Sequence, residues 1–183
     1  MYEVEVKARL RNRQEVENKL KEFGCAFGEE LHQVDRIFIP EGQVFPPPLG
    51  VAVLRVRRQN DIHFLTLKIP QQSYQDCVER EVEAQDGEKV VEIIKLLKYQ
   101  QVPTVDKKRV KTKYKDIEIV LDTVEHLGEF IEAEKIVKSE SQKDRKKTQE
   151  ELFIFLETLG ISKEDRVIDG KYDVMLYDKL MGK

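Results

Sequence analysis

Charged residues in this chain recur at every second position, in short runs that pair acid with acid and base with base. Glu3-Val4-Glu5-Val6-Lys7 opens the series, with Arg9 continuing it. Arg55 and Arg57 follow, then Lys68 with Thr66, Glu81 with Glu83, Lys107 with Arg109 and Lys111, Glu118 with Asp122, and Glu132 with Glu134. Side chains two apart on a strand share a face, so each run predicts a strand with one charged and one apolar side. Together the charged faces carry eight basic residues (Lys7, Arg9, Arg55, Arg57, Lys68, Lys107, Arg109, Lys111) and eight acidic ones (Glu3, Glu5, Glu81, Glu83, Glu118, Asp122, Glu132, Glu134). Grouped Arg and Lys suit a polyphosphate, Arg through its planar fork and Lys as a point charge. Carboxylates beside them would repel the same phosphates unless they hold a hard divalent cation, Mg²⁺ or Mn²⁺, that takes oxygen ligands.

The elements that carry these residues are predicted by period. Strands are expected at 2–10, 33–39, 51–58, 62–69, 78–84, 105–113, 116–123 and 129–137. Asn12 with Glu15 starts a helix whose stripe is Val16, Leu20 and Phe23, stopped by Gly24. Asp86 caps a second helix with the stripe Val90, Ile93, Ile94 and Leu97. Ser141 and Asp144 open a third, with Leu152, Phe153, Leu156 and Leu159 closed by Gly160. Ser162 with Asp165 repeats the capping pattern, and a short helix is expected from about Asp173 to Leu180. If the helices cover the apolar side of the strands, the charged side faces away from them. Eight antiparallel strands of this kind can close on themselves, which makes the charged face a lumen and removes exposed edges. The expected fold is α+β: a closed eight-stranded antiparallel barrel with helices outside, one domain over residues 1–183.

With 32 Lys+Arg against 35 Asp+Glu, the net charge of −3 argues against coating nucleic acid or an anionic membrane. The basic run from Lys107 to Lys115 alternates as a strand and has few aromatics near it for stacking bases. Charged residues near the start replace the apolar core of a signal peptide, and no stretch has the apolar length to cross a bilayer, so a cytoplasmic location is expected. Cys25 and Cys77 are too far apart for a CxxC motif and read as reduced core thiols. His32, His63 and His126 show no metal spacing, and Pro46-Pro47-Pro48 reads as a stiff connector.

In combination and in order, these motifs resemble the CYTH superfamily, the class IV adenylyl cyclases and thiamine triphosphatases also called triphosphate tunnel metalloenzymes. The resemblance is carried by Glu3-Val4-Glu5-Val6-Lys7 (ExExK), Leu54-Arg55-Val56-Arg57, Thr66-Leu67-Lys68, Arg80-Glu81-Val82-Glu83, Lys107-Lys108-Arg109, Leu121-Asp122 and Glu132-Ala133-Glu134. His32-Gln33-Val34-Asp35-Arg36-Ile37-Phe38 and Leu127-Gly128-Glu129-Phe130 resemble the class IV cyclase branch. The resemblance implies a closed eight-stranded barrel whose tunnel binds a triphosphate with divalent metal. It implies that Lys7, Arg55, Arg57, Lys68, Lys107 and Arg109 grip the triphosphate. Glu3, Glu5 and Glu134 would hold metal, with Asp122 and Glu132 as further candidates; Glu5, Lys7 and Glu134 would be catalytic. The implied substrate is a small-molecule triphosphate: ATP converted to cyclic AMP and pyrophosphate, or inorganic, thiamine or nucleoside triphosphate hydrolysed. A non-catalytic polyphosphate or nucleotide sensor is the reading from another class, and a homodimer is left open. Lys171-Tyr172 departs from the Ser-Tyr of many class IV relatives, so no role is carried over to Lys171. Tyr172 reads as an aromatic packing at a helix start, with the nucleotide end of the tunnel as its alternative.

Overall fold

The computed structural model describes the backbone of residues 2–71, 77–138, 141–168 and 170–182, with their side chains except at 2, 3, 77 and 142. The chain divides into two compact units, Met1–Glu30 with Lys108–Gly170, and Leu31–Lys107 with Lys171–Lys183.

The first unit holds β1 (Tyr2–Arg9), α1 (Arg13–Glu22), most of β7 (Val105–Tyr114), β8 (Ile117–Val124), β9 (Gly128–Val137), α3 (Gln142–Thr158) and the two-residue β10 (Arg166–Val167). Its strands run in the order β10, β1, β9, β8, β7, and β1 is antiparallel to β9 over its whole length, from Tyr2 opposite Val137 to Arg9 opposite Phe130. The alternation seen in sequence becomes two faces. Val4, Val6 and Ala8 of β1, Ile119 and Leu121 of β8, and Ile131 and Ala133 of β9 form one core with Val16 and Leu20 of α1 and Leu152, Leu156 and Leu159 of α3. Burying each of the Val, Leu and Ile side chains among them contributes roughly 1.5 to 3 kcal/mol. The helix ends follow the predicted signals. Asn12 and Ser141 accept from the backbone N–H three residues on, and Gly24 and Gly160, with φ of 81° and 94°, take the left-handed conformation that ends α1 and α3. Cys25 is a buried free thiol, and burial pushes its pKa up; the side chain of Cys77 lies outside the described residues.

The second unit holds β2 (Leu31–Pro40), β3 (Val53–Gln59), β4 (Ile62–Pro70), β5 (Cys77–Ala84), α2 (Gly87–Leu96), β6 (Tyr99–Gln101) and α4 (Tyr172–Leu180). β2 to β5 form an antiparallel meander in sequence order, and β6 pairs with the end of β2. Phe38, Val56, Val91 and Ile94 make its core, with Leu54, Leu65, Val90 and Tyr99 packed against it.

Each of the eight predicted strands is present within two residues of its expected ends, joined by the very short β6 and β10. Among the described residues, hydrogen bonds do not carry the ladder back on itself within either unit, so the antiparallel sheet is seen without the expected closure into a barrel. The α2 stripe differs from expectation: Val91 and Ile94 are buried, while Ile93 and Leu97 are exposed. Six apolar residues crowd this helix and its cap, so period alone does not choose the buried face. Ser162 caps a single 3-10 turn, Lys163–Asp165, which leads directly into β10 instead of an α-helix.

Gly87, at the start of α2, lies against the His63 ring; a Cβ there would fall 2.3 Å from Cδ2 and 2.7 Å from Cγ. Alanine normally favours a helix over glycine by about 1 kcal/mol, but here the clash decides the sign. We expect Gly87→Ala to lower stability by about 1 to 3 kcal/mol in urea denaturation, and His63→Ala in the same chain to recover most of it. An unchanged midpoint in the single variant would show that the ring moves aside without cost.

Candidate functional site

The charged face of the first unit is built on β1, β7, β8 and β9. Lys7 reaches Glu132 at 3.1 Å and Glu5 at 3.6 Å, and donates to the Gly170 carbonyl at 3.3 Å. Burial alone would lower the pKa of this ammonium; Glu132, then Glu5, outweigh it and hold the value above that of an ordinary lysine. Arg109 meets Asp122 as a two-point fork, Nε to Oδ1 at 2.7 Å and Nη2 to Oδ2 at 2.6 Å, and Nη2 also donates to Glu132 Oε2 at 2.7 Å. Asp122 is fully buried and Glu132 is 3% exposed. Lys111 pairs with Glu118 at 2.5 Å nearer solvent. Arg9 lies over the Phe130 ring, 5.2 Å from its centroid.

Register places Glu5 directly opposite Glu134, and Glu134 directly opposite Glu118. Three carboxylates thus occupy adjacent positions across β1, β9 and β8. Like charges facing each other across strands repel, and Lys7 beside Glu5 and Lys111 beside Glu118 offset part of that repulsion at the two ends of the row. Carboxylate oxygens are the donors that Mg²⁺ and Mn²⁺ prefer, so the row suits a hard divalent ion by donor type and position. Among the described residues, no three His, Cys, Asp or Glu side chains converge as a formed metal cage. Glu3 continues the run on β1, opposite Ile136, and its side chain lies outside the described residues.

The second unit has its own charged face. Asp35, buried in β2, stands directly opposite Arg57 of β3 and accepts from Nε at 2.6 Å and Nη2 at 2.7 Å. Arg55 Nη2 donates to Thr66 Oγ1 at 3.1 Å and Glu81 Oε2 at 3.2 Å, while its buried Nε–H has no acceptor among the described residues. The Thr66 hydroxyl, fully buried, donates to Glu81 at 2.7 Å, and Lys68 meets Glu79 at 3.0 Å. Glu83 stands opposite Phe64 and is exposed. Lys107, 5% exposed, has its ammonium 5.2 Å from the centre of the Tyr172 ring at the start of α4. Tyr172 thus packs at a helix start, and the cation it packs on is a candidate phosphate ligand. Of the histidines, His32 Nε2 lies 2.8 Å from Asp106 Oδ1, His63 packs on Gly87, and His126 sits in the β8–β9 turn with φ of 66°.

Burial would raise the pKa of Asp35; the hydrogen bonds and charge of Arg57, helped by Arg55 and Lys107, outweigh it and hold the carboxyl below the usual carboxylate range. Neighbouring Asp173 goes the other way, pushed up by burial against the pull of Lys171. A carboxyl whose pKa is depressed on folding contributes stability above its unfolded value of about 4, and the contribution is lost as pH falls through the lower folded value. Asp35→Asn should therefore be less stable than the wild type at pH 7, with the gap narrowing as pH drops from about 5 toward 3. Urea midpoints at the two ends of that range check this, and a gap that stays constant would mean that the charge of Asp35 contributes nothing.

The family model for the CYTH domain matches residues 1–170. The chain belongs to the CYTH family. Members of this family are adenylyl cyclases or triphosphatases that use divalent metal. The chain is 34% identical over 174 residues, covering 94% of it and 97% of the relative, to a Methanocaldococcus jannaschii protein named "putative adenylate cyclase". Among solved structures it resembles the PH1819 protein of Pyrococcus horikoshii, with a TM-score of 0.77 and 29% identity over 97% of this chain and 99% of that one. It also shares its fold with a Hippeastrum "putative adenylyl cyclase" that has a dominant triphosphatase activity; the TM-score is 0.60 and identity 16%, over 97% and 95% of the two chains.

In this CYTH chain the residues singled out by sequence fall into two sets. Lys7 and Arg109 stand with Glu5, Asp122, Glu132 and Glu134 in the first unit; Arg55, Arg57, Lys68 and Lys107 stand in the second. Sequence reasoning missed Asp35 and Glu79 as partners of Arg57 and Lys68. Glu79 has the parity of Glu81 and Glu83 and was available from that signal. Asp35 lies in the His32–Phe38 motif, but β2 buries apolar residues on both faces, so its blurred alternation does not single the carboxylate out. No helix among the described residues is long and apolar enough to cross a membrane.

Proposed function

We propose that this chain is a divalent-metal-dependent enzyme acting on a triphosphate, converting ATP to cyclic AMP and pyrophosphate, with a single domain over residues 1–183 folded as the closed eight-stranded barrel of its family. The observation that carries the phosphate reading is the buried Nε–H of Arg55, a cationic donor with no acceptor among the described residues, standing beside Arg57 on one strand face. Buried donors are almost always satisfied, and an anionic oxygen is the partner this one asks for. Lys7, Arg55, Arg57, Lys68, Lys107 and Arg109 are assigned to the triphosphate. Glu5, Glu134 and Glu3 are the residues that would hold Mg²⁺ or Mn²⁺, with Asp122 and Glu132 already engaged by Arg109 in this structure. The bound cation would neutralise phosphate charge and make a nearby hydroxyl or water more acidic.

In the cyclase reaction the ribose 3′ oxygen attacks the α-phosphorus, its proton passes to solvent or a carboxylate, and the bond to the bridging oxygen breaks to release pyrophosphate. The chain's part is to hold the phosphates in line and to balance their charge, which dominates catalysis of this class. Lys7, kept protonated by Glu132 and Glu5, is suited to stabilising charge that develops on phosphate oxygens. Hydrolysis at the γ-phosphorus is the second reading, favoured by the dominant triphosphatase activity of the Hippeastrum protein. The relative at 34% identity supports the cyclase.

Incubating the protein with ATP, inorganic triphosphate and thiamine triphosphate, each with Mg²⁺ or Mn²⁺, separates the readings by product. Cyclic AMP with pyrophosphate is expected. Orthophosphate without cyclic AMP would replace the cyclase by the hydrolase, and tight binding without turnover would leave a sensor.

A further inference from the structure

A carboxylate in direct contact with a phosphate-binding arginine is at first sight misplaced, since it repels the ligand. The geometry at Asp35 resolves this. The Arg57 guanidinium has five N–H donors in a fixed fork. Asp35 takes Nε–H and one Nη2–H, at 2.6 and 2.7 Å, from the inner edge of the group. The outer edge, with both Nη1–H and the second Nη2–H, is the edge that meets a phosphate with two parallel hydrogen bonds. Asp35 is 5% exposed, so its charge is sealed behind the arginine.

We propose that Asp35 is a positioning residue that holds Arg57 side-on and presents its outer edge to a phosphate group. This rests on the triphosphate reading above. An untethered arginine surrenders rotamer freedom when it binds, and Arg57 has surrendered it already. Arg55, on the same face, shows what the tether adds. Its contacts among the described residues run through Nη2, to Thr66, the more exposed Glu81 and, at 3.8 Å, Glu79, and among these residues no carboxylate takes its Nε edge. The difference arises from register: Asp35 is the direct cross-strand partner of Arg57, whereas Ile37 occupies that place beside Arg55.

The test is a thermodynamic cycle on the full chain, with inorganic triphosphate and Mg²⁺ as the probe in titration calorimetry. Asp35→Asn and Arg57→Gln should each weaken binding about tenfold, and the double variant should bind no more weakly than Arg57→Gln alone. Wild-type affinity in Asp35→Asn, or losses that multiply in the double variant, would overturn the proposal. Because removing a buried charge threatens folding, Asp35→Glu is the second variant: it keeps the charge and shifts it by one methylene. In ¹⁵N-labelled protein, the Arg57 Nε–H resonance, assigned by its loss in Arg57→Gln, should exchange with solvent about tenfold faster in Asp35→Glu. Unchanged exchange would also defeat the inference. A wild-type chain that does not bind triphosphate would instead remove the functional reading on which it rests.

Discussion

Glu5→Gln is expected to lose turnover by roughly 100-fold or more while its melting temperature stays level or rises slightly. The two halves of that expectation come from one observation. Glu5 faces Glu134, which faces Glu118, so removing one charge relieves repulsion across β1, β9 and β8. The Glu5 contact with Lys7, 3.6 Å, is longer than the 3.1 Å contact of Lys7 with Glu132, which remains. Steady-state rates across a range of Mg²⁺ or Mn²⁺, together with a thermal melt, provide the check. Wild-type rates at low metal would remove Glu5 from the metal site, and a large loss of stability would mean that Glu5 supports the fold.

Arg109→Ala is expected to cost about 3 to 5 kcal/mol in urea denaturation. Asp122 is wholly buried and gives both oxygens to this guanidinium, and Glu132 shares it with Lys7. Without Arg109, two carboxylates stay in a poorly solvated place with Lys7 as the nearest compensation for Glu132. Arg109→Lys keeps the charge and loses the fork, so it should fall between the variant and the wild type. A loss below about 1 kcal/mol would place the pair in the class of surface ion pairs.

Much of this arrangement was written in the alternation of the chain. The parity of Lys107, Arg109 and Lys111, or of Glu132 and Glu134, does not depend on partners, because successive side chains on a strand must alternate. Partner choice does depend on register, which no single strand encodes. That Glu5, Glu134 and Glu118 form a row, and that Asp35 meets Arg57 and not Arg55, became visible only with the pairing in hand. The misread face of α2 has a related cause. Val90, Val91, Ile93, Ile94, Leu96 and Leu97 offer more than one apolar stripe, and packing against Phe38 and Val56 selects the one through Val91 and Ile94. β6 and β10, three and two residues long, are too short to show a period at all.

The pairing of β1 also bears on the order in which the protein can assemble as it leaves the ribosome. Both strands that border it, β9 and β10, lie beyond residue 127, so β1 waits for more than a hundred residues before it has a ladder to join. The meander β2 to β5 meets no such delay, since each strand pairs with the one just made. Such long-range closure is slow, and it leaves an alternating strand exposed to other nascent chains in the meantime. The alternating charges of Glu3, Glu5, Lys7 and Arg9 are of the kind that guards such a strand against aggregation while it waits.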